Sequence, residues 1–317
     1  MLIIRYVACI AGIFISTASL SFSQANPSVR LLNQGKVDEL IASLHGKDDA
    51  ASHNLKGRAY YAEEATDQAI KEGEKSVASA PQNSNYHLWL GRFYGQKAEK
   101  ASAFRAAGLA GKVRDQFEKA VQLDPNNLQA RSDLAEYDLD APGFMGGGTD
   151  KASAQADAIA AKDPAMAHWL RARLAEKAKN WPEAEKQYKA AIDSGGGKGE
   201  QWLNLAAFYK ARGRSQEMMS ALNKAIASSH KSAAVLYDAA DLLFHANQNF
   251  NTAAGQLRKY IGSADTIEDA PVFKAHFLLG QIFEKQGDKP SAIKEYQSAL
   301  SLAKGYSPAG EALRKLK

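Results

Sequence analysis

Histidine is the residue type in this chain whose positions could indicate a metal site. His53, His87, His168 and His276 occupy corresponding positions of a repeating helical pattern, each in a different predicted helix pair. Imidazole is a common zinc ligand, but stacked helices lie about 8–10 Å apart, so histidines in register cannot share one ion. We therefore interpret them as half-buried packing residues, and we expect neither a metal nor another cofactor.

Two glycine runs, residues 146–148 and 195–197, could in principle hold a phosphate. Neither run ends in the Gly-Lys-Ser/Thr of a phosphate-binding loop, and no predicted strand precedes either one. We interpret both as turns. No Gly-x-Ser-x-Gly, no His-Glu-x-x-His and no cysteine nucleophile is present, so the sequence predicts a protein that is not an enzyme.

The first 25 residues differ from the rest of the chain. Arg5 precedes an apolar stretch over residues 6–15, and small and hydroxyl residues then continue to Ala25. This order is typical of a secretory signal peptide, with cleavage before Asn26; an uncleaved signal anchor is the alternative. The only cysteine, Cys9, lies inside this segment, so the mature chain has no thiol or disulfide. We expect an exported protein of a bacterial periplasm or cell envelope, with no membrane span after signal removal.

The composition indicates an all-α chain. Hydrophobic residues make up 45% and charged residues 24% of the 317 positions, and runs of β-branched residues with a period of two are missing. The net charge of +5 is small and dispersed, which argues against nucleic acid as a partner.

In the first helix of the predicted pairs, where these histidines lie, a small residue recurs at a constant distance along the sequence. Gly57 and Gly91 are 34 residues apart, as are Ala172 and Ala206, and Ala206 and Ala240. A Gly or Ala at this place lets two paired helices approach closely, with larger residues on either side. The spacing is longer where extra residues occur, around 97–108, 141–148 and 262–271. We expect longer helices at the first of these and loops at the other two.

The repeated positions resemble those of the tetratricopeptide family. The fifth unit matches best, and the second unit is also close; the matching residues are Trp202, Leu205, Ala206, Tyr209, Leu222 and Ala225, and His87, Leu90, Gly91, Tyr94, Phe117, Ala120 and Pro125. The resemblance covers about residues 50–317. Residues 86–148 are also similar to exported bacterial tetratricopeptide proteins and, locally, to the regulator of microtubule dynamics family, from which we take only the fold.

The resemblance implies a right-handed α-solenoid of about seven tetratricopeptide-like helix pairs with capping helices at both ends. The predicted organisation is a signal peptide over 1–25, capping helices over 26–50 and a superhelical domain over 51–317. In this family the first helix of each unit lines the concave face. The positions that would form a partner-binding groove here are Arg58, Arg92, Trp169, Arg173, Lys177, Lys210, Tyr237, Phe244 and Phe277.

Arginines at one end of this groove and aromatic residues toward the other suit an extended peptide with acidic residues or a free carboxylate. The alternative is that the arginine stems only cover helix surface. Arginine stands where some family members use asparagine to clamp the acidic tails of heat-shock chaperones, which argues against that ligand. The predicted function is a non-catalytic exported scaffold for peptide or protein partners. The alternative is a small-ligand or glycan-binding envelope protein that uses the insertions in 95–150. The oligomeric state stays open.

Overall fold

The computed structural model describes residues 26–230 and 233–316, so the predicted signal segment lies outside the described residues. These residues form seventeen α-helices, without a strand in the described ranges. The first nine are α1 Pro27–Asn33, α2 Val37–Ser43, α3 Ala50–Ala62, α4 Thr66–Ser79, α5 Ser84–Glu99, α6 Ala103–Leu123, α7 Leu128–Asp140, α8 Thr149–Ala160 and α9 Pro164–Lys177. The others are α10 Trp181–Ser194, α11 Gly199–Ala211, α12 Ser215–Ala227, α13 Ala234–His245, α14 Phe250–Ile261, α15 Val272–Lys285, α16 Lys289–Leu302 and α17 Ser307–Leu316.

Consecutive helices pack against each other as seven pairs, from α3–α4 to α15–α16. Each pair also contacts the next, so the pairs stack into an all-α solenoid, as the sequence predicts. Helices α1 and α2 precede the first pair, and α17 follows the last. None of the described helices is both long and apolar enough to cross a membrane.

Several helices begin at a residue that the sequence marks as a helix start. The Asp163 side chain accepts the backbone N–H of Met166, and Asp288 accepts that of Ser291 in the same way. Proline follows at a position where its missing N–H costs nothing and its fixed φ suits a helix. Asn180 caps α10 through the N–H of Glu183. The helix pairs are thereby separated by short, defined turns.

The recurring small residue lies where the two helices of a pair come closest. A Cβ atom on Gly91 would lie 2.5 Å from the Phe117 ring, and one on Gly280 would lie 2.5 Å from the ring of Tyr296. Both aromatic residues belong to the second helix of the same unit. Close packing between paired helices therefore requires glycine here, which confirms the reason given for the 34-residue spacing.

The three irregular spacings correspond to local changes in the helices or loops. Helices α5 and α6 have 16 and 21 residues, so the first insertion lengthens both helices of unit two, as expected. Between α7 and α8 the chain forms a 3-10 turn over Gly143–Met145. Residues 262–271 form the predicted longer loop before α15.

The two ends of the solenoid meet. Leu32 and Leu40 of the N-terminal helices are buried in one cluster with Phe273 and Tyr306. The backbone N–H of Gly305 donates to the Glu63 carboxylate at 3.0 Å across 242 residues of sequence. The N-terminal helix pair therefore packs against the last unit as well as against the first.

Candidate functional site

The three arginines predicted to line the groove are each paired with carboxylates of the same chain. The pairs are Arg58 with Glu268, Arg92 with Asp133, and Arg173 with Asp140 and Glu176. Arg58 donates from Nε and Nη2 to the two oxygens of Glu268 at 2.8 and 2.5 Å. The three arginine side chains are only 16–19% exposed. A carboxylate from outside must therefore displace an internal one to reach them.

Arg58 and Arg92 lie together on one indole ring. Their Cζ atoms are 4.9 and 4.7 Å from the centroid of the Trp89 ring, within cation–π distance. The Tyr61 ring packs edge-on against the same indole at 5.9 Å. We call Arg58, Trp89 and Arg92 the inner arginine site. Burial lowers the pKa of Arg92, but the charge and hydrogen bonds of Asp133 raise it by a larger amount. The pKa of Arg92 is therefore above its usual value, and this guanidinium stays protonated.

Trp89 was not among the predicted groove residues. It lies between Leu88 and Arg92, both of which the repeat pattern places on the inner face. Residues three apart on a helix are neighbours, so the spacing from Trp89 to Arg92 was a readable signal for the stacking. Only the folded chain, however, brings Arg58 to the same ring.

The predicted groove residues of units four and five lie in different environments. Trp169 has no exposed surface and packs in the main hydrophobic cluster, so its assignment to a groove surface is wrong in this structure. Its helix position faces the neighbouring helices rather than solvent. Lys177, near the end of α9, is exposed, and Lys210, near the end of α11, is half-buried. Neither lysine is part of the inner arginine site.

The predicted aromatic residues pack against the core with one side each. The Tyr237 ring lies 6.0 Å from that of Tyr260, and Phe244 contacts Phe250 at 6.3 Å between ring centroids. Phe277 stands edge-on to Tyr306 at 5.4 Å, beside the cluster that joins the two chain ends. All three are half-buried. Within the described part of the chain, none of these rings makes a cation–π contact with Arg58, Arg92 or Arg173.

Carboxylates also line the inner face, which the sequence analysis missed. The position that follows the small residue holds Arg58, Arg92 and Arg173 in three units, but Glu136 in unit three and Asp241 in unit six. Burial, with the charge of Asp133 as a second cause, raises the pKa of Glu136 to about 8. Burial and Asp241 raise the pKa of Asp238 well above its usual range. The inner face therefore carries acidic side chains as well as arginines, and the full repeat register would have shown Glu136 and Asp241.

The histidines link the two helices of their units. His53, His168 and His276 each pair through Nδ1 with a side chain 19 residues later, which is Glu72, Gln187 and Glu295 respectively. His87 pairs with Gln116, 29 residues later, because the insertion in unit two adds ten residues between them. The interpretation as packing residues is confirmed, with an added hydrogen bond. No group of three or more His, Cys, Asp or Glu that could hold a metal occurs within residues 26–230 and 233–316.

The glycines at 146–148 form a turn, as predicted. Gly146 has a φ of +92°, which favours glycine, and a Cβ on Gly147 would lie 1.9 Å from the carbonyl oxygen of Ala141. The Tyr137 hydroxyl donates to the Met145 carbonyl at 2.7 Å and fixes the turn against α7. Internal contacts therefore account for these glycines.

A surface cleft of about 380 Å³ lies beside this turn, between α6, α7 and α8. Its lining includes Glu118, Val121, Leu134, Asp138, Lys151 and Gln155. Burial raises the pKa of Asp138 to about 6. The cleft falls in the region that the small-ligand alternative named, and that alternative stays a prediction.

Comparison with known proteins identifies the repeats. The family model for the tetratricopeptide repeat matches residues 146–198 and 237–307. These segments carry tetratricopeptide repeats. No curated protein matches the chain at the significance required. Between and before the matched segments the helix pairs continue the same stacking.

Two solved structures are similar to this chain. Yeast Tom70 is 17% identical, with a TM-score of 0.52, over 94% of this chain and 60% of Tom70. A tetratricopeptide repeat protein from Parabacteroides merdae is also 17% identical, over 84% of this chain and 98% of that protein, with a TM-score of 0.42. At these identities the likeness to Tom70 shows the fold alone.

Proposed function

We propose that this protein is a non-catalytic scaffold that binds an extended segment of a protein partner on the inner face of the tetratricopeptide solenoid. The family consists largely of interaction modules, which supports the class of function. The proposal adds that residues 1–25 direct export, so that the scaffold acts in a bacterial cell envelope. The order of charged, apolar and small residues in that segment supports this location.

The observation that carries the proposal is the inner arginine site. Two guanidiniums rest on the Trp89 ring, and each forms a two-bond contact with a carboxylate, Arg58 with Glu268 and Arg92 with Asp133. Aromatic and arginine side chains that are largely enclosed are the residues that contribute most to binding energy at interfaces. The geometry of a planar guanidinium fork also selects carboxylates over other groups.

Affinity capture from an envelope extract tests the proposal. The double variant Arg58→Gln, Glu268→Gln removes the ion pair without leaving either charge alone, so the fold is expected to persist. Lys186→Gln, which removes one exposed charge on α10, is the control. We expect a protein retained by the parent and by the control but lost from the double variant. Equal retention by all three chains would exclude the inner arginine site, and a recovered chain that still carries residues 1–25 would contradict cleaved export.

A further inference from the structure

The loop over residues 262–271 reaches the inner arginine site from the far end of the chain. Glu268 and Arg58 are 210 residues apart in sequence. The loop is fixed at its base, where the Tyr260 hydroxyl donates to the Ala270 carbonyl and accepts the backbone N–H of Ile267 at 3.2 Å. The turn between these two anchored residues then places Glu268 against Arg58 of α3.

The partner of Arg58 differs from the partners of the other two groove arginines. Arg92 and Arg173 pair with carboxylates on helices α7 and α9, whose positions the solenoid fixes. Glu268 lies on a turn outside any helix. Movement of this turn breaks the two hydrogen bonds of the Tyr260 hydroxyl but separates no helix pair. Of the four carboxylates, Glu268 is therefore the one that can leave its arginine at the smallest structural cost.

We propose that the 262–271 loop is an internal competitor that occupies the inner arginine site, and that the partner segment which replaces it carries a carboxylate that pairs with Arg58. This inference rests on the proposed function. The loop supplies the Glu268 carboxylate to Arg58, one of the two arginines that share the indole ring, and it thereby shows which ligand chemistry the site accepts.

The charge balance of the site indicates why the partner must be acidic. When the loop moves away, Glu268 and Asp269 leave together, and Arg58 loses its carboxylate in an enclosed, partly dehydrated place. An unpaired charge in such a place is costly, so a neutral segment cannot replace the loop. Burial and the neighbouring charge of Glu268 raise the pKa of Asp269, and the charges of Arg92 and Arg58 only partly oppose that rise.

The loop sequence itself is the probe for the test. A synthetic nine-residue peptide that copies residues 263–271, with blocked ends, is added to the full-length protein. Its affinity is measured by fluorescence anisotropy for the parent and for Glu268→Gln. Removing the tethered carboxylate frees the site, so we expect at least about tenfold tighter binding to the variant, since a tethered ligand acts at high effective concentration. Equal affinity for both proteins would overturn the proposal.

Two further variants separate a specific effect from a general loss of charge. Asp265→Asn removes an exposed carboxylate of the same loop that has no arginine contact described, and its affinity must equal that of the parent. Asp269→Asn must shift affinity in the same direction as Glu268→Gln and by less; no shift for either variant contradicts an acidic competitor. Melting curves establish that each variant is folded.

The remaining comparisons separate this inference from the proposed function. Adding Arg58→Gln to Glu268→Gln must abolish the gained peptide affinity; retained affinity would show that the peptide binds elsewhere and would overturn the inference. A peptide with Gln in place of Glu268 and Asp269 must not bind. One outcome excludes only the role of the 262–271 loop as a competitor. In that outcome a protein is captured through the inner arginine site, and Glu268→Gln changes neither its capture nor peptide binding. If neither assay responds to Arg58→Gln, Glu268→Gln, both proposals fail.

Discussion

At the residue scale, single atoms decide whether the two helices of a unit can pack. Gly91 and Gly95 lie on the same helix one turn apart, yet their surroundings are opposite. A Cβ on Gly91 would meet the Phe117 ring at 2.5 Å, whereas nothing lies within 4 Å of a Cβ on Gly95. The repeat pattern identified Gly91 as a contact position, but it contained no information about Gly95.

We predict opposite effects of alanine at these two glycines. Gly91→Ala must push Phe117 out of place, and overpacking of this kind costs about 1–3 kcal/mol of unfolding free energy. Gly95→Ala adds a better helix former in open space and should stabilise the chain by about 0.5–1 kcal/mol. Urea unfolding of both variants beside the parent measures the difference. A Gly91→Ala variant as stable as Gly95→Ala would contradict the close contact.

At the element scale, four of the seven helix pairs are joined by a histidine hydrogen bond as well as by apolar contacts. The histidine of the first helix bonds to a Glu or Gln of the second, 19 residues later in three units. The sequence predicted the helix pairs and the histidine positions because both recur with the repeat. It did not predict the bond, since Glu and Gln are common on exposed helix faces and the partner became identifiable only when the pairing was known.

We predict that Gln187→Met weakens the pairing of α9 with α10. Methionine keeps the length of the side chain and fills similar space, but it leaves Nδ1 of half-buried His168 without the oxygen that lies 2.7 Å away. Loss of one such bond costs about 0.5–1.5 kcal/mol. Lys186→Met on the same helix, 73% exposed, is the matched control and should change stability by less. Equal urea midpoints for the two variants would show that the bond contributes nothing.

At the scale of the whole molecule, closure of the solenoid is the feature that the sequence predicted least. The repeat pattern indicates that neighbours stack, and each end was expected to carry a separate cap. Contacts between α1–α2 and α15–α17 join residues more than 230 positions apart, and no local pattern encodes such a contact. The same limit applies to Glu268, whose approach to Arg58 depends on how far the stack curves.

The last prediction concerns the pH dependence of this closure. Glu63 accepts the N–H of Gly305 at the junction, and burial, together with the charge of Asp38, raises its pKa to about 7. A raised pKa means that the folded chain binds this proton more tightly than the unfolded chain, whose carboxyl has an ordinary pKa of about 4.5. The corresponding stabilisation is complete below about pH 4.5 and is lost as the pH rises through about 7.

Glu63→Gln removes this titration and keeps an oxygen that can accept the Gly305 N–H. The variant should therefore match the parent near pH 4.5 and exceed its stability by about 1–2 kcal/mol at pH 8, because one pKa unit corresponds to about 1.4 kcal/mol and partial exposure screens the effect. Glu39→Gln on neighbouring α2, where the carboxyl is 59% exposed, should show no such trend. Urea unfolding at both pH values measures the difference. A gap of equal size at pH 4.5 and pH 8 would mean that ionised Glu63 does not oppose closure, and that the junction is held by its apolar cluster alone.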